Sequence, residues 1–153
     1  MSILARYRKP GGFRQLLLLI ETSQPVKQAK LIEVVEKEDP SWADLIRAKK
    51  IDATMVLNWD IEHLAMILEN MVAQHAVVVL KNCGDDKLSE FRTLFKLPKY
   101  KEFESLLTDM DPPKESAVQA AENHMLETVR YLDEEKKMIL RFIDPTLDLS
   151  DAA

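Results

Sequence analysis

The stretch that decides the fold reads Glu38-Asp39-Pro40-Ser41-Trp42-Ala43-Asp44-Leu45-Ile46-Arg47. Asp39 can accept the unpaired amide hydrogens of a first helical turn, and Pro40 is tolerated at the first helical position because no hydrogen bond is needed there. Apolar residues follow on one side of this helix, and cations follow at its negative C-terminal end. We therefore predict a helix from Pro40, with Trp42 in the core against the preceding helix.

Helix signals continue in both directions from this stretch. Before it, apolar residues at helical spacing predict helices over residues 13–22 and 26–37. After it, start signals predict helices from about Asp60, Met71, Asp85 and Tyr100, and a long helix from about Glu115 to Ile139 or beyond. Only three glycines occur in 153 residues, whereas sandwiches and barrels need many tight turns. The sequence therefore predicts an all-α fold, a stack of short helices that ends in a long C-terminal helix.

Two apolar runs are rich in β-branched residues and leave a strand open as an alternative. Ile51–Leu57 has strand propensity, but no partner strand is evident, so we predict a connector or a single helical turn. Val77–Leu80 could pass for a buried strand, and we predict that it belongs to a central buried helix instead.

The charge of the chain excludes some partners. A formal net charge of −5 argues against a general nucleic-acid binder, because phosphate neutralisation needs a surplus of cations. The N-terminal cations, which are Arg6, Arg8, Lys9 and Arg14, fit a solvated flexible tail, with an anionic-lipid or acidic-partner contact as the alternative. The run Leu16–Ile20 is too short to span a bilayer, so we predict the buried side of a helix and no membrane insertion.

No residue pattern of this chain indicates an enzyme. His63, His75 and His124 are widely spaced, and none forms a ligand pair within one helix. Cys83 is the single cysteine and has no adjacent base, so an inert thiol is expected. The acidic clusters lack the pattern of a calcium loop, and the glycines cannot form a phosphate-binding loop. We therefore predict no catalytic residues, no metal and no cofactor.

The order and spacing of several motifs carry a resemblance to a known family. The decisive stretch is followed by Trp59-Asp60-Ile61, by Val77-Val78-Val79-Leu80-Lys81-Asn82, by Leu88–Phe95 and by Ala117–Leu132. In this order the segments resemble the C-terminal part of the FliG family of flagellar motor switch proteins. The resemblance extends from about Phe13 to Leu140.

This resemblance implies an armadillo-like helical fold in two parts. Residues 13–50 would form an armadillo-like helical repeat that packs on a neighbour, and residues 51–143 would form a domain like the FliG C-terminal torque domain. Residues 1–12 and 144–153 are then expected to be flexible tails.

The resemblance also implies a function without catalysis. The chain would take part in motor assembly, torque or rotation switching, in the cytoplasm and at the periphery of the inner membrane on the flagellar basal body. Its partners would be FliM-like switch subunits, neighbouring FliG-like subunits and a MotA-like stator loop. The alternative is a FliG-like helical adaptor in a non-flagellar cytoplasmic assembly. Two departures from the family bear on these roles. The hinge motif falls on Lys50–Ala53, which argues against switching by a hinge. The paired torque-helix acids fall near Ser105 and Leu106, which carry no charge and so favour the alternative.

The candidate partner-binding site is a charged face in the stretch from Lys81 to Lys114. It comprises Lys81, Lys99, Lys101, Glu104, Asp109 and Lys114. The resemblance matches Lys81 and Lys114 to basic residues of the family, and Glu104 and Asp109 lie where they could replace the family's paired acids. Composition alone favours an ordinary solvated face, whereas the resemblance favours contact with a partner.

Overall fold

A computed structural model of the chain describes residues 2–94 and 98–150. Its α-helices are α1 (Gly12–Glu21), α2 (Pro25–Glu38), α3 (Pro40–Lys49), α4 (Ala53–Leu57), α5 (Ile61–Glu69), α6 (Ala73–Cys83), α7 (Asp85–Arg92), α8 (Lys99–Thr108), α9 (Glu115–Glu134) and α10 (Leu140–Ile143). Short 3-10 helices span Leu4–Tyr7 and Pro145–Leu147. No strand occurs in the two described ranges, so the predicted all-α class is confirmed.

The chain divides into two compact units. The first unit consists of Met1–Asp52 together with Ile139–Ala153, and the second consists of Ala53–Met138. The second unit is therefore inserted into the sequence of the first. We call them the split unit and the inserted unit.

The split unit has its own hydrophobic core. Helix α2 packs against α1 and α3, and the first 3-10 helix packs against α1. The run Leu16–Ile20 contributes three buried side chains, in agreement with its predicted role as the inner side of a helix. The buried residues of this core are Leu4, Phe13, Leu16, Leu17, Ile20, Ile32, Val35, Ala43, Ile46 and Leu149.

The predicted helix start at Asp39-Pro40 is present, but Trp42 is not in the core. The Asp39 carboxylate accepts a hydrogen bond from the Trp42 amide at 3.2 Å. The Trp42 side chain is half-buried and meets the Phe13 ring edge-on, with 5.4 Å between ring centroids. The Arg8 guanidinium covers it at 4.5 Å from the ring centroid. Trp42 thus lies at the edge of the core, where a large aromatic side chain can pack on one side and contact solvent on the other.

The N-terminal segment, for which the sequence predicts a flexible tail, is held against α2 and α3. Leu4 is buried, and the Glu38 carboxylate accepts hydrogen bonds from the hydroxyl of Ser2 at 2.6 Å and from the amides of Ile3 and Leu4 at 3.0 and 3.2 Å. Arg8 pairs with Asp39 at 2.6 Å. One fully buried side chain, Leu4, and hydrogen bonds to the distant Glu38 carboxylate hold this segment. Neither feature produces a periodic pattern in the sequence.

The C-terminal segment is also held by the split unit rather than extending as a tail. The Lys49 ammonium donates a hydrogen bond to the Thr146 carbonyl oxygen at 3.2 Å, although the two residues are 97 positions apart. Leu147 and Leu149 are both buried. The segment is short, so its two buried leucines are too few to reveal a buried face by periodicity.

In the inserted unit, α6 is the central helix. It packs against α7, α8 and α9, and α9 also packs against α4 and α5. Val77, Val79 and Leu80 are buried within α6, so the helical prediction for this run is confirmed over the strand alternative. The single helical turn predicted near residues 51–57 is confirmed as α4.

The long helix α9 ends at Glu134, so the predicted extension to Ile139 was wrong. Lys136 adopts a left-handed backbone conformation with φ of 58°, and the amide of Lys137 donates to the Leu132 carbonyl at 2.8 Å. The acidic run Asp133–Glu135 lies at the negative end of the helix dipole, which disfavours further helix there.

Candidate protein-interaction surface

Helix α8 presents the predicted charged face to solvent. Its apolar residues Phe103 and Leu107 are buried, while Lys101 and Ser105 are exposed on the opposite side. The three- and four-residue spacing of a helix produces this separation, and it agrees with the arrangement predicted for this helix. Burial of Phe103 therefore fixes the orientation in which α8 offers its charges.

Lys99 begins α8 and is partly engaged within the helix. Its ammonium lies 3.8 Å from the Glu102 carboxylate and 5.4 Å from the centroid of the Phe103 ring. The Lys99 side chain is 30% exposed, so part of its charge remains available to a partner. An exposed ion pair of this kind contributes at most about 1 kcal/mol to stability.

Glu104 is paired with Arg92, a residue that the sequence interpretation missed. The Arg92 Nε atom donates to the Glu104 Oε1 atom at 2.5 Å, and this pair joins the last turn of α7 to α8. Arg92 thus neutralises Glu104, which was predicted to replace one of the paired acids that the family has on its torque helix. The two residues are 12 positions apart on different helices, so no periodic pattern could have revealed the pair.

The remaining predicted site residues are exposed and lie at helix ends. Lys81 is in the last turn of α6, Asp109 follows the end of α8, and Lys114 precedes α9. Within residues 2–94 and 98–150, Lys81, Lys101 and Lys114 form no ion pair. The structure thus gathers Lys99, Lys101, Glu104 and Asp109 on one helix. No hydrogen bond or ion pair joins Lys81 or Lys114 to them in this part of the chain.

The charge left on this face after pairing is positive. Glu104 and Glu102 are each paired with a cation, whereas Lys101 and Lys114 are exposed and form no ion pair among the described residues. Such a surface attracts acidic segments of a partner over a distance of about one Debye length, roughly 8–10 Å at ordinary salt.

A second exposed surface lies on α2 in the split unit. Val26 and Val34 are 70% and 41% exposed, and Lys30 lies between them along the helix. Glu33 and Lys37 lie on the same side of α2 and form an ion pair, with 3.6 Å between the charged atoms. We call these five residues the outer face of α2. Exposed valines are more apolar than a purely solvated helix face requires, so this side is a candidate contact for another helix.

Groups that could support chemistry are few. Burial raises the pKa of the Cys83 thiol, which keeps it protonated and weakly nucleophilic at neutral pH. The described residues contain no group of three or more histidine, cysteine, aspartate and glutamate side chains that could hold a metal ion. Across residues 2–94 and 98–150, none of the helices has the length and apolar character that crossing a membrane requires.

The structure brings together two histidines that the sequence interpretation treated as separate. The ring centroids of His75 and His124 lie 5.0 Å apart. They belong to α6 and α9, the helices that pack most extensively in the inserted unit. A contact between residues on two helices has no local sequence signal.

Comparison with known families identifies most of the chain. Residues 33–140 match the family model described as the FliG C-terminal domain. The match begins within α2 and extends to the first residue of α10, and so covers more than half of the chain. No curated protein sequence matches the chain. The predicted resemblance is therefore confirmed, and the chain belongs to the family of the FliG C-terminal domain, a component of the flagellar motor switch.

Proposed function

We propose that this chain is a non-enzymatic rotor-type subunit that binds protein partners through two helix faces. The charged face of α8 and its flanks would meet an acidic segment, such as a MotA-like stator loop. The outer face of α2 would meet a FliM-like switch subunit or a neighbouring FliG-like subunit. Family membership supports a role in the motor switch, and the unpaired cations of the α8 face support an acidic partner.

Lys101 is the observation that carries this proposal. It is exposed on a helix whose opposite side is anchored by Phe103, which is 1% exposed. Because the helix already fixes the backbone of Lys101, binding a carboxylate costs only the rotamer freedom of its side chain. Charges at the rim of an interface mainly steer association and fix the register, rather than supplying most of the affinity.

The test is a charge reversal on the inserted unit with a matched reversal on the split unit. The double variant Lys101→Glu, Lys114→Glu should weaken binding to acidic stator-loop peptides, more strongly at about 0.05 M than at about 0.3 M salt. The control Lys27→Glu, Lys30→Glu has the same charge change on exposed residues of α2. Isothermal titration or fluorescence anisotropy at both salt concentrations measures the affinity.

Two outcomes separate the interpretations. If the Lys101 and Lys114 variant binds as the wild type at both salt concentrations, this face is merely solvated. If both double variants weaken binding equally, net charge rather than a defined surface is responsible.

The outer face of α2 is proposed as the contact for another helical subunit. Changing Val26→Glu and Val34→Glu places charges on this face, which an apolar interface would not accommodate. The expected result is loss of co-purification with a FliM-like or FliG-like subunit while the circular dichroism spectrum stays helical. The control is Ser41→Glu with Ala48→Glu, which places the same charges on exposed residues of α3 outside this face, and retained co-purification with the valine variant would exclude this face.

The proposed location is the cytoplasmic side of the inner membrane, at the flagellar basal body. A fluorescent fusion should form foci at the base of each flagellum and lose them when the switch complex is absent. Diffuse fluorescence in both backgrounds would argue against this location.

The second candidate function is a FliG-like adaptor in a non-flagellar cytoplasmic assembly. It is favoured by the altered torque-helix positions, where Ser105 carries no charge and Glu104 is paired with Arg92. Deleting the gene and measuring swimming distinguishes the two functions. Unchanged motility favours the adaptor, and lost or unidirectional motility favours the rotor subunit.

A further inference from the structure

The contact between His75 and His124 lies apart from both proposed binding faces. His75 is in the first turn of α6, and His124 is in the middle of α9. Their rings are inclined by 41° at a centroid distance of 5.0 Å, and both side chains are half-buried.

His124 holds the start of α6 by a hydrogen bond. Its Nε2 atom accepts the backbone N–H of Val72 at 3.1 Å, and Val72 is the residue immediately before the first turn of α6. A histidine nitrogen can accept a hydrogen bond only when it carries no proton, so His124 must be neutral with its hydrogen on Nδ1. That nitrogen faces the Glu127 carboxylate at 3.9 Å. The contact thus defines both the charge and the tautomer of His124.

We propose that the His75–His124 pair is an acid-sensitive latch that fastens the N-terminus of α6 to α9. Protonation of His124 would place a hydrogen on Nε2, so two donors would face each other and the bond to Val72 would be lost. The new charge would lie beside the positive N-terminal end of α6, and beside a second positive charge when His75 is protonated as well. Acid therefore releases the start of α6.

One neighbouring carboxylate favours the protonated form of His124. Glu127, on α9 itself, would attract a protonated His124, but the Glu127 side chain is 54% exposed and its attraction is screened by water. Helices α4 and α5 also pack against α9. In the described residues they place no carboxylate within 4.0 Å of either imidazole. Attraction by Glu127 does not preserve the bond to Val72, because Nε2 of a protonated ring cannot accept a hydrogen bond.

The latch lies in a position to affect binding. Helix α6 packs against α8, which presents the charged face. Histidine changes charge between about pH 5 and 8. Release of α6 would loosen the support of α8 whatever partner binds there.

The test is amide hydrogen exchange of the labelled full chain at about pH 7.5 and about pH 5.5. After correction for intrinsic exchange, protection of the Val72 amide should fall about two- to tenfold on acidification, the range expected for one hydrogen bond. In His124→Gln the side-chain oxygen can accept the same hydrogen but cannot be protonated, so protection should not depend on pH. His63→Gln, at a half-buried histidine of α5, should keep the wild-type decrease.

A second measurement needs no variant. Long-range proton–nitrogen spectra of the imidazole rings at about pH 7.5 should show His124 in the Nδ1–H tautomer. The proposal is overturned by the Nε2–H tautomer, by Val72 protection that is independent of pH in the wild type, or by an equal decrease in His124→Gln.

Discussion

Leu147→Ala tests whether the C-terminal segment is part of the split unit. The Leu147 side chain is 1% exposed, and the neighbouring Thr146 carbonyl accepts the hydrogen bond from Lys49. Truncating a fully buried leucine costs about 2–5 kcal/mol, from lost burial together with the cavity that remains. If the segment then detaches, Lys49, which is 6% exposed, also loses an acceptor. The split unit should therefore be strongly destabilised.

The two tryptophans allow each unit to be followed separately. Trp42 lies in the split unit and Trp59 lies in the inserted unit. In a Trp59→Phe background, fluorescence follows the split unit through Trp42, and Leu147→Ala should lower the urea midpoint of its unfolding by roughly 1–3 M. This shift follows from the destabilisation of about 2–5 kcal/mol and from an unfolding free energy that falls by about 1–3 kcal/mol per M of urea. In a Trp42→Phe background, the same change should leave the midpoint of the inserted unit nearly unaltered.

Phe142→Ala is the matched control, because Phe142 belongs to the same segment but is 75% exposed. It should change either midpoint by little. The reasoning is refuted if Leu147→Ala leaves the Trp42 transition where it was, or if it lowers the Trp59 transition by the same amount.

Three further predictions follow from buried groups and from charge. Phe103→Ala should destabilise the inserted unit by about 3–5 kcal/mol, measured by the Trp59 transition, because Phe103 anchors α8. Glu21→Ala should cost the split unit about 1–3 kcal/mol in urea unfolding, because it leaves the buried Ile51 amide without its acceptor. The hydrogen bond from Arg8, followed by that from the Trp42 amide, lowers the pKa of Asp39 from its ordinary value of 3.8. Its stabilising effect is therefore present above that value and is lost as pH falls through the lower folded pKa, so Asp39→Asn should show less acid destabilisation below about pH 4.

Local signals in the sequence were sufficient for most helices. Asp39-Pro40 marks a helix start by chemistry that acts within one turn, and the structure contains that cap. The run Val77–Leu80 was ambiguous because a short apolar run fits either a buried strand or a buried helix. The packing of α6 against α5, α7, α8 and α9 shows that the run belongs to a buried helix.

Features that depend on distant residues could not be predicted. Lys49 reads as a cation at a helix end, and only the fold shows that it is buried against the Thr146 carbonyl. The pairing of Arg92 with Glu104 likewise depends on how α7 and α8 approach each other. That this face binds a partner stays a prediction, and the pairing of Glu104 with Arg92 is a feature of the face that the sequence did not indicate.

The insertion of one unit into the other has a consequence for synthesis on the ribosome. The inserted unit is continuous, so it can fold as soon as residues 53–138 have emerged. The split unit cannot be completed until Leu147 and Leu149 have been translated, and its closing contact must then bridge 97 positions. Until that moment the nascent chain exposes the apolar surface that those two leucines cover in the folded unit.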